Sequence, residues 1–160
     1  MSTATKRALA DPAALGKRVV IVDETGGYLP VGLAEVLATR GGTEVEVITP
    51  HLFVGENILG TLDMSQLFPR LIVAGVKLSA QQFIEKIAGN TVELYNIWGG
   101  QRRMLTDIDT VVIAMMRTPN DTLFNEIRNY FPKVHRVGDV VAPRKLAAII
   151  YEGEKLGREI

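Results

Sequence analysis

Cysteine is absent from the chain, and tryptophan occurs only once. Without thiols the chain can form no disulfide and can offer no thiolate to zinc or to an iron–sulfur cluster. It also lacks any excess of charge: 18 Lys plus Arg stand against 18 Asp plus Glu. No net field then steers it toward nucleic acid or an anionic membrane. Its apolar runs fall well short of the roughly 20 residues that span a bilayer, and residues 1–16 lack the apolar core of a signal peptide. The expectation is a cytoplasmic protein that partners neither nucleic acid nor membrane. G-x-S-x-G, P-loop and H-E-x-x-H motifs are missing too, which disfavours a self-contained hydrolase or kinase.

What is present fits one substantial core or two small lobes: 160 residues, 47% of them hydrophobic. Val19-Val20-Ile21-Val22 is a near-continuous apolar strand that runs into Asp23-Glu24-Thr25-Gly26-Gly27-Tyr28 and then a helical pattern over 30–39. This is the entry of a nucleotide-binding βαβ unit with its phosphate chemistry altered. Such a turn normally reads G-x-G-x-x-G, because glycine backbone must approach the pyrophosphate and the helix N-terminus must face it. Carboxylates in the first positions would repel phosphate and can themselves sit at the positive helix end. Asp23, Glu24 and Thr25 are therefore read as caps and dipole partners rather than as a catalytic or metal-binding group. The second strand, over 43–48, ends in Ile48-Thr49-Pro50 without the acidic residue that would accept a ribose hydroxyl of NAD. Gly26, Gly27 and Gly32 remain available for a tight turn and helix packing.

Beyond residue 50 an irregular stretch leads into a helical pattern over 64–74, with Pro69 inside it as a potential kink. Three β-type segments at 82–88, 91–98 and 101–106 are separated by Gly89-Asn90 and Gly99-Gly100, which are strong hairpin signals. An apolar strand over 110–114, a helix over 121–130, a short strand over 134–137 and a final helix opened by Pro143 complete the chain. The order β-α-β-α-β, then a meander, then a returning strand is that of the NAD-type domain in flavoprotein disulfide reductases. The expected fold is α/β: an arm or linker at 1–16, a degenerate Rossmann-like domain with a β-meander at 17–118, and a segment at 119–160 that, by its resemblance to flavoprotein reductases, would be the closing strand and helix of an FAD/ADP-type domain.

Several segments together carry a resemblance. They are Gly16-Lys17-Arg18-Val19-Val20-Ile21, Gly26-Gly27-Tyr28, Leu33-Ala34-Glu35, Val47-Ile48-Thr49-Pro50, Glu93-Leu94-Tyr95-Asn96-Ile97-Trp98-Gly99, Asp109-Thr110-Val111-Val112, Val137-Gly138-Asp139 and Ala142-Pro143-Arg144. In this order and spacing the chain resembles the C-terminal part of the trimethylamine dehydrogenase and 2,4-dienoyl-CoA reductase family, whose members extend an old-yellow-enzyme-like barrel. The resemblance implies a flavin oxidoreductase of which this chain is an accessory, non-catalytic subunit or a separated C-terminal portion. FMN and the iron–sulfur cluster would sit on a barrel-containing flavoprotein partner in a hetero-oligomer. It further implies that Gly138 and Asp139 contact a ribose or ribityl hydroxyl of ADP or FAD shared with that partner. Val140 and Ala142 would supply backbone N–H groups near the phosphates, and Arg144 would add charge. The plainer reading of Asp139 is a cap on the last helix or a turn.

Other residues carry weaker signals. Met115 and Met116 replace a small Thr-Gly pair of the family, so they would crowd a flavin or simply fill core gaps. Gly153 and Gly157 lie four apart on the last helix, which suggests close approach of a neighbour or packing within the chain. His51 and His135 read as surface or structural histidines, and Trp98 with Tyr95 as packing residues of the meander. No metal site and no catalytic residue is assigned. Two alternatives remain open: an NAD(P)H-binding module that feeds electrons to a partner flavin, and a purely structural interaction protein with an empty pocket.

Overall fold

A computed structural model of the chain describes Lys6 and residues 10–160, so residues 1–5 and 7–9 of the expected arm lie outside the described residues. The chain divides into two compact units, the first ending at Met115 and the second spanning Met116–Ile160. Each is considered by itself.

In the first unit, β1 (Arg18–Asp23), β2 (Glu44–Ile48), β3 (Lys77–Ser79) and β7 (Thr110–Ala114) form a parallel sheet in the order β3-β2-β1-β7. The antiparallel meander comprises β4 (Gln82–Ala88), β5 (Thr91–Asn96) and β6 (Arg102–Leu105). Val19 of β1 is in register with Val45 on one side and Thr110 on the other. Helix α1 (Tyr28–Gly41) crosses from β1 to β2, and α2 (Met64–Val73) from β2 to β3. Gly42 ends α1 in the left-handed region at φ 58°, and the Thr43 N–H reaches the Leu37 carbonyl at 3.3 Å. The Gly42 N–H reaches the same carbonyl, a six-to-one bond of the kind that commonly satisfies a helix's last carbonyls.

The run Val19-Val20-Ile21-Val22 is apolar throughout because both faces of the sheet are covered. Val19, Ile21, Val45 and Val47 pack with Val31, Ala34, Leu37 and Leu71 of the helices. Val20, Val22 and Ile48 pack with Val92 and Leu94 of the meander and with Ile108. Strand β3 had no place of its own in the sequence reading. Three residues following Gly75 are too short to show a period. Trp98 stands outside β5, in a turn where Asn96 Oδ1 accepts the Trp98 and Gly99 amides at 2.9 Å each, and its ring is exposed.

The second unit contains α3 (Thr122–Ile127), a 3₁₀ turn at Gly138–Val140 and α4 (Leu146–Glu159). No side chain of either helix is buried. The expected closing strand over 134–137 does not form: Val137 is extended at φ −142°, ψ 153°, yet those residues enter no β-ladder. A strand exists only with a neighbour to pair with, and none is offered among the described residues. The last helix also starts later than Pro143 suggests, at Leu146, because Lys145 is extended at ψ 146°.

Candidate functional site

In an open parallel sheet, ligands lie beyond the carboxyl ends of the strands, where successive connections leave in opposite directions. Here that place is the end of β1 beside β7, and Asp23 occupies it. The Asp23 side chain is fully buried. Its Oδ1 accepts hydrogen bonds from the Thr25 N–H, the Thr25 hydroxyl and the Gly26 N–H, each at 2.8 Å. Its Oδ2 has no hydrogen-bond partner among the described residues. Burial pushes the Asp23 carboxyl above its ordinary value, opposed by the Thr25 and Gly26 hydrogen bonds and by His51. Asp23 thus ties down the turn itself; the N-cap of α1 is Gly27, which offers no side chain to cap it. A separate cleft of about 340 Å³ lies at the other, amino-terminal end of the strands, beside Arg18, Glu44 and Lys77.

The five residues expected to meet a nucleotide fall in the second unit, in and just after the 3₁₀ turn. Gly138 is buried with φ 71°, and a Cβ there would stand 3.1 Å from Ile149 Cγ2. Only glycine suits both constraints. Asp139 is exposed and caps neither its own turn nor α4. The plainer reading of that residue is therefore set aside. The Val141 and Ala142 amides turn inward to the Gly138 carbonyl, at 2.9 and 3.2 Å. The expectation that Ala142 presents a free N–H is corrected by this bond, which closes the turn before α4 begins.

Arg144 is engaged as well, donating to the Ala142 carbonyl at 3.1 Å and to Glu152. Glu152 also accepts the Gly138 N–H at 3.1 Å. Sequence reasoning passed over Glu152. It lies fourteen residues beyond Gly138 on an exposed helix, and only its fold-back with Arg144 reveals it. The Arg144 guanidinium, followed by the Gly138 amide, holds the Glu152 carboxyl below the ordinary carboxylate range.

Beside this turn is a cleft of about 550 Å³ bordered by Phe124, Ile127, Arg136, Val137 and Val140. Arg136 lies over the Phe124 ring at 4.6 Å and pairs with Asp121 at 3.0 Å. Other signals resolve more plainly. Met115 and Met116 are exposed and fill no gap in a core. Beyond the helix's own backbone, no atom of the described residues lies within 4 Å of a would-be Cβ on Gly153 or Gly157, so packing among those residues does not account for them. His51 is structural, with Nε2 3.0 Å from the Glu24 carbonyl and Nδ1 3.6 Å from Glu56. No helix among the described residues is long and apolar enough to cross a membrane.

Residues 4–123 match the model of the OYE-like second alpha/beta domain. Dimethylamine dehydrogenase of Hyphomicrobium sp. (strain x) is 29% identical over 92% of this chain and 23% of its own length. Histamine dehydrogenase from Rhizobium sp. 4-9 superposes with a TM-score of 0.86 at 27% identity, over 98% of this chain and 25% of that one. Thioredoxin reductase of T. acidophilum, at 17% identity, TM-score 0.65, and coverage of 94% of this chain and 52% of that one, shares the fold. The chain therefore spans about a quarter of the length of the two dehydrogenases it matches.

Proposed function

Because the chain belongs to the family of OYE-like second alpha/beta domains, we propose that it completes the nucleotide-binding lobe of a trimethylamine-dehydrogenase-like flavin oxidoreductase. It is homologous to the C-terminal part of such enzymes, and its relatives are flavin-dependent oxidoreductases. In this reading it is an accessory, non-catalytic subunit or a separated C-terminal portion, cytoplasmic and hetero-oligomeric. A barrel-containing flavoprotein chain carries the FMN and iron–sulfur redox centres. The observation that carries the reading is the bareness of the second unit. Helix α4 presents Leu146, Ile150 and Tyr151 at 69%, 62% and 65% exposure, and residues 134–137, which are extended at Val137, have no strand beside them among the described residues. Apolar surface of this extent marks an interaction site, and an unpaired extended segment takes up a strand when one is supplied.

ADP or FAD would be shared across that contact. Asp139 is free to meet a ribose hydroxyl, and the Gly138–Val140 backbone with its adjoining cleft offers room for the rest of the nucleotide. Ala142 would contribute shape only, and Arg144 would have to leave Glu152 before it could meet a phosphate. Coexpression with a barrel flavoprotein, followed by chromatography of the material released on denaturation, tests this reading. A stable complex that releases ADP, AMP or FAD is expected. Separation of the two chains during purification, with no nucleotide released from either, would sink it. One observation favours the structural alternative: the Glu152 carboxylate already satisfies both Gly138 and Arg144. A stable complex that releases no nucleotide would decide for that alternative.

A further inference from the structure

The β1–α1 turn of the first unit is sealed from two sides. On the amide side Asp23 holds Thr25 and Gly26, and the Thr25 hydroxyl accepts the Gly27 N–H at 3.3 Å. On the carbonyl side three consecutive oxygens are held by residues of one segment: Glu24 by His51 Nε2 at 3.0 Å, Thr25 by Asn57 Nδ2 at 2.8 Å and Gly26 by the Asn57 N–H at 2.9 Å. Gly26 makes the contact possible. Its φ is 61°, and a Cβ there would meet Asn57 N at 3.3 Å and His51 Cδ2 at 3.4 Å. The orphaned Asp23 Oδ2 is the second sign of an altered site. Buried carboxylate oxygens are normally paired, so one left bare marks a group kept for something other than its own solvation.

We propose that Asp23 is an intramolecular anion in the seat a dinucleotide phosphate would take, locked there by His51 and Asn57. The first unit excludes phosphate-bearing ligands by self-occupation, without having lost the backbone that would bind them. A phosphate brought within about 4 Å of the buried carboxylate would be weakened roughly a thousandfold by repulsion alone. This goes beyond the proposed role of the second unit and does not depend on it.

Chemical rescue tests the proposal in the full chain. Asp23→Gly removes the carboxylate and leaves the Thr25 and Gly26 amides unsatisfied, so Tm should fall by roughly 5–10 °C. Sodium formate, the excised group as a free ion, should restore roughly half of that loss at about 0.1 M, where sodium chloride of equal ionic strength does not. The unaltered chain should respond alike to both salts and show no saturable binding of NADH. Identical responses of Asp23→Gly to formate and chloride would overturn the proposal, as would saturable NADH binding by the unaltered chain. If Asp23→Gly does not fold, amide exchange in the unaltered chain decides. Protected Thr25 and Gly26 amides whose shifts follow the Asp23 carboxyl titration support self-occupation, and fast exchange at both overturns it.

Discussion

Two glycine-containing turns in this chain each hold a carboxylate against a backbone N–H, one fully buried and the other half-buried at the surface. At Gly26 the carboxylate is Asp23, three residues away, fully buried and enclosed by a second segment. At Gly138 it is Glu152, fourteen residues away on an open helix, held by one amide and one exposed arginine. The contrast extends to the units around them. The first has a sheet covered on both faces, whereas neither helix of the second buries a side chain. A carboxylate inside a closed core is part of the structure, because no solvent can replace it. One on an uncovered surface can yield its donors to a ligand.

The sharpest way to break this comparison is to remove core from each unit. Leu37 is fully buried between α1 and the sheet. Leu37→Ala should cost about 2–5 kcal/mol in denaturant titration, since the cavity left behind adds to the lost transfer energy. Ile150→Ala on α4 should stay within about 0.5 kcal/mol. An equally large loss at Ile150 would mean that α4 is packed in solution, and the contrast between the units would fail.

Asp23 comes next. Asp23→Ala strands two amides and a hydroxyl in a buried turn and should cost about 2–4 kcal/mol. Asp23→Asn keeps the accepting oxygen and should stay within about 1 kcal/mol of the unaltered chain at neutral pH. Their pH dependence carries a sign. Burial raises the folded Asp23 carboxyl, so its contribution is full below the unfolded value and is lost as pH rises through the folded one. Asp23→Asn should therefore gain on the unaltered chain between about pH 4 and neutrality, as thermal melts across that range would report. A flat difference would show that the carboxyl is not displaced from its ordinary value.

Glu46 supplies the opposite slope within the same unit. Burial alone would raise its carboxyl, yet Arg103, Ser79 and Lys77 together hold it below the ordinary value. A lowered carboxyl stabilises the fold above its unfolded value and loses that contribution as pH falls. Glu46→Gln should cost about 1–2 kcal/mol at neutral pH and progressively less toward pH 4. A pH-independent cost would point to the loss of Ser79 and Arg103 hydrogen bonds alone.

Much of the first unit was legible in its residues, because local pattern and tertiary need agree there. The run Val19–Val22 reads as a doubly covered strand and is one, and Gly89-Asn90 and Gly99-Gly100 mark hairpins that form. Strand β3 was illegible because three residues carry no period. The second unit misled for a different reason. Residues 134–137 have a strand's composition, but ladder formation depends on a neighbour that composition does not record. At the candidate sites the sequence located both glycine turns, with Asp23 at one and Asp139 at the other. It did not reveal that Asp23 turns back onto its own loop, that His51 and Asn57 hold that loop's carbonyls, or that Glu152 reaches Gly138. The first is local and turns on where one side chain points, whereas the others join residues 14 to 32 positions apart, which only the fold brings together.

The smallest expected change in stability belongs to Glu152, and it bears most directly on function. Glu152→Gln removes the charge that holds Arg144 while leaving an oxygen for the Gly138 N–H. The pair is exposed, so Tm should hardly move. Arg144 would then be released toward any phosphate near the turn, and ADP affinity of the assembled lobe should rise by roughly three- to tenfold, measured by isothermal titration. Asp23→Asn should leave that affinity unchanged, since it lies in the other unit. Unaltered affinity in Glu152→Gln would show that Arg144 meets no phosphate, and weaker binding would show that Glu152 positions Gly138 for the ligand. In either case Glu152, like Asp23, would be a fixed part of its turn, and burial would not be what separates the two.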